Sequence, residues 1–196
     1  MISLLRSTST LPIFSLSCSI VVAPIILLVI KGLELTKASA ICVNDIPLSF
    51  ANNPVFKGTF KDWKVFTATT EQGKICFAES KPKTRSPKNF KREPSKLFVT
   101  FRPQENIKDE VSVTSGHVYK ASTVNAKSGR NNYTFFSKKN FAWIAEEERE
   151  RKFIKLMKKA SNIMIIANEP KGSQTVDHYS MIGFSKAYDA AKKNCS

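Results

Sequence analysis

The sequence contains few of the residues that build metal centres and nucleotide-binding loops. Its 196 residues include only 2 histidines and 4 cysteines, and no pair of cysteines has the CxxC spacing. These numbers argue against a zinc or iron–sulfur protein, which needs several such ligands at short spacing. Glycine is also scarce, at 7 residues, and no GxxxxGK loop is present. We therefore expect no metal and no other cofactor.

Acidic residues are scarce as well. The chain has 16 Asp and Glu against 31 Lys and Arg, a formal net charge of +15. Such a charge allows nucleic acid, anionic lipid or acidic polysaccharide as a partner without choosing among them. Hydrophobic residues make up 42% of the chain, enough for the core of one domain of ordinary size.

A long run without charge lies near the N-terminus, at residues 11–30, between Arg6 and Lys31. It is followed by Ala38-Ser39-Ala40, the small-x-small pattern that signal peptidase recognises. We predict a secretory signal at residues 1–40, cleaved after Ala40. The alternative is an uncleaved membrane anchor, because about 20 apolar residues span a bilayer. Either interpretation exports the rest of the chain, since no second apolar span follows.

The exported part stays basic and has an odd number of cysteines. Removing residues 1–40 leaves 28 basic and 15 acidic residues, a net charge of +13. Disulfides persist in exported proteins, and Cys42, Cys76 and Cys195 allow three pairings. We prefer Cys76 with Cys195, because Cys76 lies in a predicted core strand and Cys195 ends a predicted helix. Cys42 stands two residues past the cleavage site.

The remaining pattern is that of a mainly β protein. Residues 41–60 are interpreted as an extended N-terminal extension, and residues 61–196 as the β domain. The predicted strands lie at residues 63–68, 74–78, 97–101, 111–114, 117–125, 132–137, 141–144, 163–167 and 174–181. Residues 126–131 form a predicted hairpin tip. We expect a single β-sandwich or barrel-like domain of antiparallel strands.

Two helices complete the prediction. Residues 145–161 have apolar side chains at helical spacing, acids in the opening turns and lysines in the closing ones. This pattern predicts one amphipathic helix. A short C-terminal helix is predicted at residues 185–194.

The order of these segments resembles the invasion-associated locus B family of alphaproteobacterial envelope proteins. The resemblance covers residues 61–196 and is carried by an ordered set of short runs: Asp62-Trp63-Lys64-Val65, the strand around Cys76, residues 97–103, residues 111–116, residues 136–143 and residues 179–184. It implies a small, mostly β domain of the periplasm or outer envelope, linked in some pathogens to host-cell invasion, with no established catalytic activity. Cys42 departs from the family pattern, and the uncharged N-terminal run is longer than a minimal signal.

No group of residues predicts an active site. Asp177, His178 and Ser180 have the residue types of a nucleophilic triad, but neighbours on a strand point to opposite faces, so Asp177 cannot orient His178. His117 is interpreted as a strand-edge residue. Four acids, Glu146, Glu147, Glu148 and Glu150, are interpreted as ordinary acids at a helix N-terminus. We expect a non-enzyme; the alternative is an exported enzyme with an unrecognised site.

The segment at residues 81–96 is the candidate binding element, and we call it the basic loop. It contains three prolines, one acid and seven cations that no neighbouring acids cancel: Lys81, Lys83, Arg85, Lys88, Lys91, Arg92 and Lys96. The prolines forbid a central strand. The alternative interpretation of these anion-binding candidates is a solvated, flexible loop. Phe90 is its only aromatic residue, which gives base stacking little support.

The predicted export limits the partners. We expect an anionic lipid, a lipopolysaccharide phosphate or an acidic host surface, and no nucleic acid. Membrane contact is expected only through an uncleaved N-terminal segment, and the oligomeric state stays open. The strand aromatics are expected in the core: Trp63, Phe77, Phe98, Phe101, Phe135, Phe136 and Trp143. The predicted location is the periplasm or the outer envelope, or secretion; the alternative is an inner-membrane anchor facing the periplasm.

Overall fold

The computed structural model of the protein describes residues 53–121 and 123–196. Within these ranges, eleven antiparallel strands form one sheet, accompanied by two α-helices. The predicted mainly β fold is therefore confirmed. The predicted signal segment with Ala38 and Ala40, and also Cys42, lie outside the described residues.

The sheet does not follow the order of the chain. Its strands are β1 (Val55–Phe60), β2 (Trp63–Thr70), β3 (Gly73–Ser80), β4 (Thr84–Ser86), β5 (Lys96–Arg102), β6 (Ile107–Thr114), β7 (Val124–Ser128), β8 (Asn131–Lys138), β9 (Phe141–Trp143), β10 (Asn162–Asn168) and β11 (Gln174–Ser180). They are arranged in the order β1-β2-β3-β5-β6-β9-β8-β7-β10-β11-β4. The two edges are thus β1 and the three-residue β4, which lies inside the basic loop.

Besides the strand predicted at residues 117–125, of which the structure contains only the last two residues, as the start of β7, two predicted boundaries differ from the structure. Strand β1 lies inside the predicted extension and pairs with β2, so the sheet begins at Val55 and the predicted start at residue 61 is too late. The second difference concerns the predicted tip at residues 126–131. Strands β7 and β8 pair as far as Ser128 and Asn131, which leaves a two-residue loop. Gly129 there has φ 55°, a conformation that favours glycine.

The start of β2 is hydrogen-bonded to the end of β11, so the strands next to the two edges of the sheet meet. The Trp63 indole N–H donates to the Ser180 carbonyl at 3.0 Å, and the Asp62 amide donates to the Ile182 carbonyl at 3.3 Å. Gly183 makes this approach feasible. Its φ is 92°, and a Cβ there would lie 1.9 Å from the Phe60 carbonyl oxygen, so no other residue fits without a backbone shift.

Both helices cover the inner face of the sheet. Helix α1 (Glu147–Lys159) packs Phe153 against Phe135, with ring centroids 5.6 Å apart. Helix α2 (Phe184–Asn194) packs Phe184 against Trp63 at 4.8 Å. The predicted helices at residues 145–161 and 185–194 are confirmed, with slightly shifted ends. Neither described helix combines the length and the apolar character that crossing a bilayer requires.

The outer face of the sheet carries aromatic residues that were expected in the core. Trp63, Phe101 and Phe135 are buried, as predicted. Phe77, Phe98, Phe136 and Trp143 were wrongly placed: they lie on the outer face, and Phe136 is 55% exposed. Strands alternate their side chains between two faces, and here both faces carry aromatics, so alternation alone did not show which set is inside.

Candidate functional site

The basic loop connects β3 to β5 along the edge of the sheet. Inside it, β4 pairs with β11 and places Arg85 opposite Asp177. Pro82 and Pro87 lie on either side of β4 and limit it to three residues, because proline donates no ladder hydrogen bond. The prediction that this segment forms no central strand is confirmed.

Four of the seven cations in the basic loop lie beside acids that are distant in sequence. Lys83 pairs with Asp62, Lys96 with Glu79 at 2.8 Å and Arg92 with Asp177 at 2.6 Å. The Arg85 Nε also lies 4.0 Å from the same Asp177 carboxylate. Three carboxylates thus neutralise three of the seven charges, and the expectation that no acids cancel this charge was wrong. The prediction failed because strand pairing brings acids from other parts of the chain next to the basic loop.

Arg92 is a structural residue and not a free cation. Its side chain is 2% exposed, that of Asp177 is fully buried, and two hydrogen bonds of 2.6 and 2.8 Å join them. Arg92 also donates to the Ser115 carbonyl at 2.7 Å and to the Ser95 hydroxyl at 2.9 Å. Asp177 lies between Thr175 and Tyr179 on the buried face of β11, and a buried acid needs a cationic partner.

A cleft of about 510 Å³, which we call the basic cleft, lies in the basic loop. It is lined by Pro82, Lys83, Thr84, Arg85, Pro87, Lys88, Phe90 and Arg92. Lys88 is exposed, as are Lys81 and Lys91 nearby on the loop. None of these three lysines has a carboxylate within 4 Å among the described residues. Of these three lysines, Lys88 lines the basic cleft.

The candidate triad does not assemble. Asp177 is buried and bound to Arg92, whereas His178 on the same strand is exposed, as strand alternation predicted. His117 lies before β7 and not at a strand edge. Its Nδ1 is 2.8 Å from the Val118 carbonyl and its Nε2 is 2.8 Å from the Thr175 hydroxyl. The second contact links the segment before β7 to strand β11.

Glu150 departs from the expected behaviour of helix N-terminal acids. It is half-buried in a groove of about 620 Å³, where it accepts a hydrogen bond from the Val111 amide at 2.6 Å. Burial raises its pKa to about 7, helped by repulsion from Asp109, Glu110 and Glu147. Glu146, Glu147 and Glu148 are exposed and paired with cations on their own helix, as expected. No group of three ligands for a metal ion occurs among the described residues.

The raised pKa of Glu150 predicts a pH-dependent stability. The folded-state pKa of about 7 exceeds the ordinary 4.5, so the folded protein binds this proton more tightly than the unfolded chain. The contribution of Glu150 to stability is largest below pH 4.5 and is lost as pH rises through 7. We expect Glu150→Gln, which keeps an acceptor for Val111, to raise the melting temperature at pH 8 and not at pH 4.

The matched control is Glu147→Gln, because that side chain is 82% exposed on the same helix. Thermal melts of both variants at several pH values decide the matter. An equal pH dependence in wild type and Glu150→Gln would contradict the assignment.

The structure also contains the disulfide that the sequence analysis preferred. Cys76 of β3 is bonded to Cys195, which directly follows α2, with Cα atoms 5.7 Å apart. This bond fixes the C-terminal helix to the sheet. Disulfides persist in oxidising compartments such as the bacterial envelope, and the bond fits a location there.

No protein-family model matches the sequence, and neither a curated protein nor a solved structure matches it. The fold and the site are therefore the observations that bear on function. Together these define a disulfide-linked β domain with a basic cleft at one edge of its sheet.

Proposed function

We propose that the protein is an exported cell-envelope protein of the invasion-associated locus B type, a non-catalytic binding or structural domain that presents a basic surface. Its partner is an anionic component of the envelope or of a host surface, with a role in envelope integrity or host-cell invasion. The charge of +13 that remains after residue 40 supports such a partner. The Cys76–Cys195 disulfide is compatible with export.

The observation that carries the proposal is the set of free cations on the basic loop. Lys81, Lys88 and Lys91 are exposed, and the acids that neutralise Lys83, Arg92 and Lys96 do not reach them. Each lysine near an anionic surface contributes about 1 kcal/mol of attraction. A concentration of such charge on one short loop favours binding at this edge over diffuse attraction to the whole protein.

The proposed location follows from the N-terminal segment. Cleavage after Ala40 would release the domain into the periplasm or beyond, whereas an uncleaved segment would anchor it to the inner membrane facing the periplasm. In both cases the β domain would lie outside the cytoplasm.

The proposal predicts salt-sensitive binding to anionic vesicles through the basic loop. We expect the protein to co-sediment with phosphatidylglycerol vesicles and not with phosphatidylcholine vesicles. Raising the salt concentration should weaken binding, because the Debye length falls from about 30 Å at 0.01 M to about 8 Å at 0.15 M. Lys88→Ser with Lys91→Ser should weaken it roughly tenfold or more, since two lysines contribute about 1 kcal/mol each.

The matched control removes two other exposed lysines, Lys127 and Lys171, which lie outside the basic loop. It changes the net charge equally. Equal losses in the two double variants, or binding that does not respond to salt, would contradict a role for the loop. Arg92 is left intact in this test because its loss would disturb the fold.

A further inference from the structure

The basic cleft contains an imbalance of buried charge. Arg85 and Arg92 approach a single carboxylate, that of Asp177. Arg92 takes both oxygens of that carboxylate. The Nε of Arg85 lies 4.0 Å from the nearer oxygen, which is beyond hydrogen-bond distance. Arg85, Arg92 and Asp177 together therefore carry a net charge of about +1, which is located on Arg85.

Arg85 is poorly satisfied, in contrast to Arg92. Among the described residues its one hydrogen bond runs from Nη2 to the Glu93 carbonyl, at 2.5 Å. Its Nε is shielded from solvent and has no acceptor, although a guanidinium offers five N–H donors. The side chain is 33% exposed and lines the cleft. A partly buried cation with unused donors is costly, and an anion in the cleft would remove that cost.

The rest of the cleft indicates the class of anion. Lys88 adds one free positive charge, whereas Lys83 is neutralised by Asp62. Two free charges match a phosphate monoester, which carries about −1.5 to −2 at neutral pH, better than a single carboxylate. Guanidinium and ammonium groups both bind phosphate oxygens well.

The wall and the size of the cleft indicate what the phosphate is attached to. Phe90, Pro82 and Pro87 present apolar rings beside the cations. Such a wall suits the C–H face of a sugar ring and not a second charged group. The volume of about 510 Å³ exceeds what bare phosphate fills and lies in the range of small-molecule sites.

We propose that the basic cleft binds a phosphorylated sugar, with Arg85 and Lys88 holding the phosphate and Phe90 contacting the sugar ring. This assignment deepens the proposed function and rests on it, because it names the anionic chemistry that the domain recognises. The same chemistry occurs in a free sugar phosphate and in the phosphorylated sugar head group of a glycolipid.

Calorimetric titration of the full exported protein tests the site, with glucose 1-phosphate, inorganic phosphate and glucose as probes. We expect glucose 1-phosphate to bind about tenfold more tightly than inorganic phosphate, and glucose not to bind. Arg85→Gln and Lys88→Ser should each weaken glucose 1-phosphate binding about tenfold, as loss of a charged hydrogen bond predicts. Lys127→Ser serves as the matched control and should bind normally.

Vesicles distinguish the two sources of the ligand. The protein is mixed with phosphatidylcholine vesicles that contain a phosphorylated glucosamine lipid. Capture of the protein by these vesicles, reversed by glucose 1-phosphate, supports a head group as the ligand. Binding of glucose 1-phosphate without such capture supports a free sugar phosphate.

Two outcomes overturn the inference: no binding of glucose 1-phosphate to the wild type, or equal binding to Arg85→Gln and Lys88→Ser. Lys88 is exposed, so its variant keeps the test valid even where Arg85→Gln lowers stability. Failure of this inference can be distinguished from failure of the proposed function. Anionic-vesicle binding that depends on Lys88 and Lys91, but no sugar phosphate binding, overturns only this inference. Sugar phosphate binding without any vesicle binding overturns the proposed attachment to an anionic surface.

Discussion

Replacing Arg92 by methionine should lower the free energy of unfolding by about 3 to 5 kcal/mol, because it leaves the Asp177 carboxylate buried without its partner. The Asp177 side chain is fully buried, and Arg92 supplies its two hydrogen bonds. Arg85 stands too far away to replace them. Urea denaturation followed by tryptophan fluorescence measures the loss, and Lys88→Met, an exposed change in the same loop, should stay within about 0.5 kcal/mol.

The double variant Arg92→Met with Asp177→Leu separates a lost ion pair from general damage to the loop. Removing both charges removes the unpaired buried carboxylate, so this variant should be more stable than Arg92→Met alone. A double variant no more stable than the single one would show that Arg92 acts mainly through Ser95 and Ser115, with which it is also hydrogen-bonded.

Removing the disulfide should have an effect of similar size. Cys76 and Cys195 are 119 positions apart, and for a closed loop of that length the chain-entropy model gives about 4 to 5 kcal/mol, less any strain. We therefore expect Cys76→Ala with Cys195→Ala to unfold at a much lower urea concentration. Helix α2 should loosen first, because eleven residues are too few for a stable isolated helix. Hydrogen exchange of its amides reports that loosening.

Cys42→Ala is the control for the disulfide prediction, since this substitution leaves the Cys76–Cys195 bond in place. It should leave stability unchanged. Peptide mapping of the unreduced protein completes the test, and a bond from Cys42 to either of the other two cysteines would contradict the prediction.

Local sequence signals were sufficient for most of the secondary structure. Helix α1 followed from helical spacing of its apolar residues, and the β2–β3 hairpin followed from alternating strands around a turn that ends at Gly73. Both depend on residues that are near neighbours in the chain. The preferred pairing of Cys76 with Cys195 was also reached, because the elements at both cysteines were correctly predicted.

The charge pairing of the candidate site could not be predicted in this way. Arg92 and Asp177 are 85 positions apart, and they meet because β4 is added to the far edge of the sheet beside β11. Nothing in the basic loop itself distinguishes the buried Arg92 from the exposed Lys91 next to it. Glu150 was missed for the same reason, since its burial depends on β6 and not on its own helix.

The closure of the sheet through Trp63 also has a consequence for folding. The indole of Trp63 contacts Ser180 and Phe184, which lie more than 100 positions later in the chain. Contacts of such high sequence separation form late, because a long loop must first be closed. A chain that emerges from its N-terminus cannot complete this core until its last helix is available. The core around Trp63 would therefore be among the last parts of the native structure to form.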